Sequence, residues 1–317
     1  MADTPLIVIA DSVNPGALQL LSTGPCRVVD ASGDPGSLAS QLGPAWGLVV
    51  RSRTKVTGAL LAQAPNLRVV ARAGVGVDNV DLPAATARRV FVVNAPTAAT
   101  TSVAELTVTF ALMLVRDLFG QIRATKHGKW NRGLHGAELS GKTVGLVGYG
   151  RIGREVARRL RAFGASVVAF DPLLTASPDE TPLVAFDELL SRSDVVSLHA
   201  ALTPENHHLL NADRMSKMRR GAYVINVARG ALIDETALLA ALGSGQVGGA
   251  ALDVFETEPP TQEALLSHPN VIPTPHLGAS TPEAQHRAGV QVAEELLRLL
   301  RGEEPLYLVN TELTKQP

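Results

Sequence analysis

The sequence predicts an α/β protein of two parallel-sheet domains. Three observations carry that expectation. Short apolar or β-branched runs alternate with helix-length segments along nearly the whole chain, as in a parallel sheet with crossover helices. The runs fall into two series, separated by one long helical segment. At 317 residues the chain is long enough to bury two cores.

The first series comprises residues 6–10, 27–29, 47–50, 67–71 and 90–93. The second comprises 143–147, 166–170, 194–198, 222–227, 250–254 and 271–274. Between them, residues 102–126 carry Leu106, Phe110, Leu112, Met113 and Leu118 at helical spacing, and Ser102 with Glu105 reads as a capping box at the start. Residues 283–300 read as a last helix, with Thr281 as cap and Gly302 as stop. No strand series follows it, so it is expected to return to the first domain. The expected layout is a domain of residues 1–95, completed by 284–317 and suited to substrate, and a second domain of 96–283. Both would be Rossmann- or flavodoxin-like, with a ligand cleft between them.

Composition excludes several classes. A hydrophobic content of 45% argues against disorder, and a net charge of -1 gives no reason to expect a nucleic-acid partner. The single cysteine, Cys26, cannot form an internal disulfide. The best apolar run, 107–115, is too short to span a membrane, and the start at Met1 lacks the layout of a signal peptide. A soluble, cytoplasmic chain is the expectation.

Gly148-Tyr149-Gly150-Arg151-Ile152-Gly153 follows the run 144–147 and opens a helical pattern (Arg154, Val156, Ala157, Leu160). A glycine triplet alone is weak evidence, but this context is the one a dinucleotide fingerprint requires. Gly148 would allow the tight turn, Gly150 the approach of a pyrophosphate, and Gly153 close packing of helix on strand. The helix N-terminus offers N–H groups and partial positive charge to phosphates. Asp171 ends the next strand, where an acid can accept from the adenosine ribose hydroxyls. Pro172, Leu173 and Leu174 follow, with no cation for a 2′-phosphate, so NAD is expected rather than NADP.

Three loop residues suggest the chemistry: Arg229 in Val-Ala-Arg-Gly, Glu258 in Glu-Thr-Glu-Pro-Pro, and His276 in Thr-Pro-His-Leu-Gly. An imidazole exchanges protons near neutrality. Glu258 within hydrogen-bond reach would favour the imidazolium, suited to protonating a carbonyl under reduction. Pro259 and Pro260 fix its direction. The Arg229 guanidinium can hold a carboxylate in bidentate fashion, and Gly230 would admit a ligand beside it. Gly278 would leave open space next to His276. Asp253 could accept from a nicotinamide carboxamide. No Cys/His cluster suggests a metal, and His207-His208 reads as a polar turn.

At this point the chain resembles the D-isomer-specific 2-hydroxyacid dehydrogenases, and among them the branch acting on 3-phosphoglycerate. The likeness runs from about residue 5 to the C-terminus. It is carried by Val-Arg-Ser-Arg-Thr-Lys-Val-Thr (50–57), Ala-Arg-Ala-Gly-Val-Gly-Val-Asp-Asn-Val-Asp (71–81), Gly-Lys-Trp-Asn-Arg (128–132), Asn-Val-Ala-Arg-Gly (226–230), Ala-Ala-Leu-Asp-Val-Phe (250–255) and Pro-His-Leu-Gly-Ala-Ser-Thr-Pro-Glu-Ala-Gln (275–285). It implies Arg229, Glu258 and His276 as the catalytic set, with His276 the acid/base. It also implies cofactor contacts from Val75, Arg151, Ile152, Asp171, Ala200, Val227, Ala228, Asp253 and the run His276, Leu277, Gly278, Ala279. The Gly74-Val75 backbone would receive the substrate carboxylate. Arg51, Ser52 and Arg132, the last from a partner subunit, would suit a phosphate, and Arg72 is expected as a further substrate contact. A homodimer through the nucleotide domain would use the helix beginning at Ser102.

The pattern also departs from the family. Ala98-Ala99-Thr100 lacks the Asn usual in that loop, Ala201 stands where Pro is common before Leu202, and His207 replaces Thr or Ser. A missing polar group near the substrate can change preference for size or charge. A phosphonate analogue, or hydroxypyruvate and glyoxylate, are therefore alternative substrates. The Arg51-Ser52-Arg53 cluster with Arg132 favours a dianion. The chain ends near Leu308-Val309-Asn310-Thr311, so no regulatory domain and no serine feedback are expected. A corepressor of the C-terminal-binding type would share the framework, but no peptide-docking feature supports it.

Overall fold

The computed structural model describes residues 4–133 and 136–314. Met1, read above for a leader, lies outside them. The chain divides into two compact units: Met1–Ala99 with Ala279–Pro317, and Thr100–Gly278. The sequence boundaries of 95/96 and 283/284 stand four or five residues from these crossings.

The first unit is built on strands β1 (Leu6–Ile9), β2 (Arg27–Asp30), β3 (Ala45–Val50), β4 (Val69–Arg72) and β5 (Phe91–Asn94), in the order β2-β1-β3-β4-β5. All pairs are parallel. Both faces are covered, so the strands read as continuous apolar runs rather than alternating ones. Leu6, Val8, Leu48, Val50, Val70 and Val92 fill one face. Ile7, Ile9, Val49, Val69 and Ala71 fill the other, against Ala288, Val292, Ala293 and Leu296 of the helix Pro282–Leu300. That helix starts where Thr281 Oγ1 accepts from Ala284 N at 3.1 Å and stops before Gly302, whose φ of 75° suits only glycine well.

The second unit holds β6 (Thr143–Val147), β7 (Ser166–Phe170), β8 (Val195–Leu198), β9 (Ala222–Asn226), β10 (Val247–Leu252) and β11 (Val271–Pro273). They form one parallel sheet in the order β11-β10-β9-β8-β6-β7. The chain leaves β6 to one side for β7, then returns to the other for β8. That reversal is a topological switch point, where open α/β sheets bind ligands beyond the strands' carboxyl ends.

Two expectations for this unit are corrected. The segment 102–126 is two helices, Thr100–Val115 and Leu118–Lys126, parted at Asp117, which takes a left-handed φ of 46°. The first begins at Thr100, so Ser102 lies inside its first turn, buried, and is not a capping residue. No helix among the described residues is long and apolar enough to cross a membrane.

Candidate active site

The fingerprint glycines follow β6, and each has a geometric reason. Gly148 has φ 92°, and a Cβ there would lie 2.7 Å from Ala200 N and from His199 C. The turn therefore packs directly on the peptide that follows β8. A Cβ on Gly153 would meet Gly148 O at 2.3 Å, so the helix Arg151–Ala162 can approach β6 only with glycine there. Gly150 caps that helix and has nothing within 4 Å of its Cβ position, leaving open the side a pyrophosphate would take. Arg151 and Ile152 form the helix's first turn. At the end of β7, Asp171 accepts from Tyr149 N at 2.8 Å and Leu173 N at 3.0 Å, which aims its carboxylate while leaving lone pairs for ribose hydroxyls. These residues fit a dinucleotide.

At the other end of the sheet's carboxyl edge, His276 Nδ1 lies 2.9 Å from Glu258 Oε2. Both side chains are about half exposed. Glu258 is held by its second oxygen, which accepts from Phe255 N at 3.3 Å, and the Glu258–Pro259 peptide is cis. His276 takes a left-handed φ of 54°, with its N–H donating to Asp253 O at 2.9 Å. A carboxylate on Nδ1 keeps the proton there in the neutral ring and leaves Nε2 as the exchanging nitrogen.

Asp253 organises this turn. It is 1% exposed, and its carboxylate accepts from Thr274 Oγ1 at 2.6 Å, Leu277 N at 2.6 Å and Gly278 N at 2.8 Å. The open space expected beside Gly278 is absent: a Cβ there would meet Val103 at 3.1 Å and Asp253 Oδ2 at 3.2 Å. This glycine serves the turn's own packing.

Arg229 follows β9, half-buried, its Nη1 donating to Ala228 O at 2.6 Å. Val227 and Ala228 are buried, and Asn226 Nδ2 donates to Arg229 O at 2.9 Å. Gly230 does not admit a ligand. A Cβ there would fall 1.8 Å from Phe255 C and 2.0 Å from its O, so the glycine lets the Arg229 loop press on the backbone that leads to Glu258. The expected polar turn at His207-His208 exists, with one addition. His208 Nε2 lies 3.1 Å from Glu256 Oε1.

In the first unit, the candidate substrate residues gather at the carboxyl ends of β3, β4 and β5. Arg51 N donates to Asp11 Oδ2 at 2.7 Å, and its Nη1 to Ser12 O at 3.4 Å; Ser52 is exposed. Arg53 is withdrawn from the expected phosphate cluster. Its guanidinium is occupied by Asp11 Oδ1 at 3.2 Å, Ala10 O at 3.0 Å and Ser32 O at 2.6 Å. Those bonds compensate the desolvation of Asp11, whose carboxyl is lowered below its usual range despite burial by bonds from Thr54, Arg51 and Arg53. Gly74 makes room for Arg72, whose Nη1 would lie 1.7 Å from a Cβ there. Gly74 N–H donates to Arg72 O at 2.8 Å, so the neighbouring Val75 amide is the better anion donor of the pair. Asn94 Nδ2 fixes that turn through Val75 O at 2.5 Å. Ala98 and Ala99 are buried, and Arg287 Nε donates to Ala98 O at 2.9 Å. Arg132 belongs to the second unit and is exposed.

One residue escaped the sequence reading. His199, directly after β8 at the switch point, donates its N–H to Val147 O at 2.7 Å and bonds Ser197 Oγ through Nε2 at 2.9 Å. Burial pushes its imidazole down to about 3, so it stays neutral. Its signal in the sequence was a histidine directly after the strand Val195–Leu198, with Ser197 two residues before it.

Fold and site together define an α/β protein with a dinucleotide-binding unit that also carries a hydrogen-bonded histidine–glutamate pair. The family model described as D-isomer specific 2-hydroxyacid dehydrogenase, NAD binding domain, matches residues 108–278. The chain belongs to the D-isomer specific 2-hydroxyacid dehydrogenases, and NAD is the cofactor of the matched domain. It is 43% identical over 311 residues to the D-3-phosphoglycerate dehydrogenase of Rattus norvegicus, covering 96% of this chain and 58% of that protein. It is 48% identical over 267 residues to that of Bacillus subtilis, covering 83% and 51%. The chain thus spans a little over half the length of these curated relatives. Among solved structures, the TT0316 protein of Thermus thermophilus matches with a TM-score of 0.87 at 37% identity, covering 96% of this chain and 99% of that one. A glyoxylate reductase from Paecilomyes thermophila matches with a TM-score of 0.88 at 29% identity, covering 98% and 99%.

Proposed function

We propose that the protein is an NAD-dependent D-2-hydroxyacid dehydrogenase that oxidises D-3-phosphoglycerate and, in reverse, reduces 3-phosphohydroxypyruvate. The observation that carries this reading is the His276–Glu258 pair at 2.9 Å, in the same unit as the glycine fingerprint and the Arg229 loop. When bound, the dinucleotide supplies one chemistry, acceptance of the hydride from C2. His276 Nε2 takes the hydroxyl proton, and Glu258 stabilises the imidazolium that results. Arg229 holds the substrate carboxylate and polarises the C2 oxygen. Val75 N–H assists at the carboxylate, while Arg51, Ser52 and a partner's copy of Arg132 receive the phosphate. General acid–base help of this kind is typically worth ~10²–10⁴ in rate.

Identities of 43% and 48% to phosphoglycerate dehydrogenases support the phosphorylated substrate. The runner-up, a glyoxylate or hydroxypyruvate reductase, gains from the engagement of Arg53 with Asp11, which removes one cation from the phosphate argument. We place the enzyme in the cytoplasm, as a homodimer through the second unit. The helix Leu118–Lys126 supports that assembly: none of its residues is buried, and Leu118 and Ile122 stand exposed on it. Such an apolar face suits an isologous contact.

The test is NADH oxidation at matched concentrations of 3-phosphohydroxypyruvate, hydroxypyruvate, glyoxylate and a phosphonopyruvate-type analogue. A preference of about a hundredfold in kcat/KM for the phosphorylated acid, ~2.7 kcal/mol, is expected. Equal or better rates with the unphosphorylated acids would make this a general reductase. A clear preference for the phosphonate would move the specificity to the Ala98-Ala99 loop.

A further inference from the structure

His208 stands at φ 51°, a left-handed backbone that non-glycine residues occupy only under strain. Glycine would relieve that strain, so a histidine there calls for a reason in its side chain. Its backbone belongs to the support of the Arg229 loop. His208 N–H donates to Ala231 O at 2.8 Å, and Leu210 N–H to Leu232 O at 2.9 Å, two and three residues beyond Arg229. Its ring leaves that loop and meets Glu256 Oε1 at 3.1 Å, two residues before Glu258. Glu256 is itself fastened. The same Oε1 accepts from Glu235 N at 3.2 Å, and Glu256 N donates to Glu235 Oε1 at 2.8 Å. One residue therefore has its main chain on the anchor loop and its side chain on the acid–base loop. The two loops meet where Gly230 presses on the backbone of Phe255 and Glu256.

We propose that His208 is a positioning residue: its bond to Glu256 latches the Arg229 loop to the Glu258 loop and sets the distance between substrate anchor and proton acceptor. The proposal rests on the dehydrogenase reading above. Misplacing an anchor by about 1 Å can cost on the order of 10²-fold in rate without preventing binding. The latch touches neither substrate nor dinucleotide, so its loss is expected in kcat more than in KM.

The test compares His208→Gly and His208→Gln in the full-length protein. Gly removes the ring and relieves the strain; Gln keeps an N–H near the place of Nε2. Expected results are H208G as stable as wild type or more so, unchanged NADH affinity, and kcat lowered about tenfold or more. H208Q should recover most of that loss. Adding Glu256→Gln to H208G should lower kcat little further, since glutamine keeps an oxygen for Glu235 N and the bond to His208 is already gone. An H208G protein with wild-type kcat would overturn the latch. So would an H208G that loses stability in proportion to activity, the mark of a merely structural role. Failure of the reading beneath it looks different: wild-type protein would bind NADH and reduce none of the four ketoacids.

Discussion

Asp253→Asn tests how the turn that carries His276 is held. Three donors converge on this buried carboxylate, Thr274 Oγ1 and Leu277 N on one oxygen and Gly278 N on the other. Asparagine is nearly the same size but has only one acceptor oxygen. With that oxygen toward Thr274 and Leu277, its NH₂ faces the Gly278 N–H, donor against donor, out of reach of water. An unsatisfied buried donor costs ~1–3 kcal/mol, and each of the two remaining bonds loses about 1 kcal/mol of charge assistance. The sum is ~3–5 kcal/mol, large for a single atom exchanged. Because His276 N–H donates to Asp253 O, the loss falls on the segment that presents the imidazole. Hydrogen exchange read by peptide mass, resolving residues 271–278 from the rest of the sheet, measures it directly. Leu277 and Gly278 amides should exchange far faster in the variant, with kcat falling alongside. A destabilisation below about 1 kcal/mol, with unchanged exchange at these amides, would refute the account of the turn.

Other outcomes follow from the same geometry. Gly150→Ala should leave stability within ~0.5 kcal/mol yet weaken NADH binding, whereas Gly153→Ala, facing Gly148 O at 2.3 Å, should destabilise the unit; calorimetry on both variants separates the roles. His276→Ala should lower turnover ~10²–10⁴-fold with NADH affinity intact, and near-wild-type turnover would remove it from the chemistry. Arg53→Ala should lower the melting temperature with little change in KM for the ketoacid, because its bonds run to Asp11, Ala10 and Ser32; a KM effect without a stability loss would return Arg53 to the phosphate site. His199, lowered to about 3 in the folded protein, takes up its proton first in the unfolded chain. Its contribution to stability is therefore present above pH ~6.5 and lost as pH falls toward 3, at up to ~1.4 kcal/mol per unit. His199→Gln should flatten the acid limb of the stability profile, and an unchanged slope would contradict this assignment.

Much of this was legible in the residues. Strands Thr143–Val147 and Ser166–Phe170 fall at the bounds their apolar runs suggest, because both faces are covered and the pattern stops where burial stops. The start of β10 was hidden. The apolar run begins at residue 250, yet Gly248 and Gly249 are strand residues: a Cβ on Gly248 would lie 2.4 Å from Gly221 O, and one on Gly249 2.9 Å from Asn270 O. Close backbone approach leaves no mark but the glycine itself. The same ambiguity misled the reading of Gly230 and Gly278, where the neighbour turned out to be protein rather than ligand. Helical spacing carried straight through Asp117, since periodicity reports which face is buried and not a single left-handed residue. Arg53 looked like its neighbour Arg51 because charge is visible in sequence and its partner Asp11, 42 residues away, is not.

The split of the first unit into two stretches of chain has a consequence for its synthesis. Ile7, Ile9, Val49, Val69 and Ala71 face the helix Pro282–Leu300, which is made last. At ribosomal rates of ~5–20 residues per second, roughly 10–40 s pass between completion of residue 99 and arrival of that helix. For that interval the nascent sheet offers one bare greasy face, whereas the contiguous stretch Thr100–Gly278 needs no later strand to complete its sheet. A ribosome-bound chain halted once Gly278 has cleared the ribosome, with the helix Pro282–Leu300 still inside it, should accordingly carry a finished second unit and a first one that chaperones recognise.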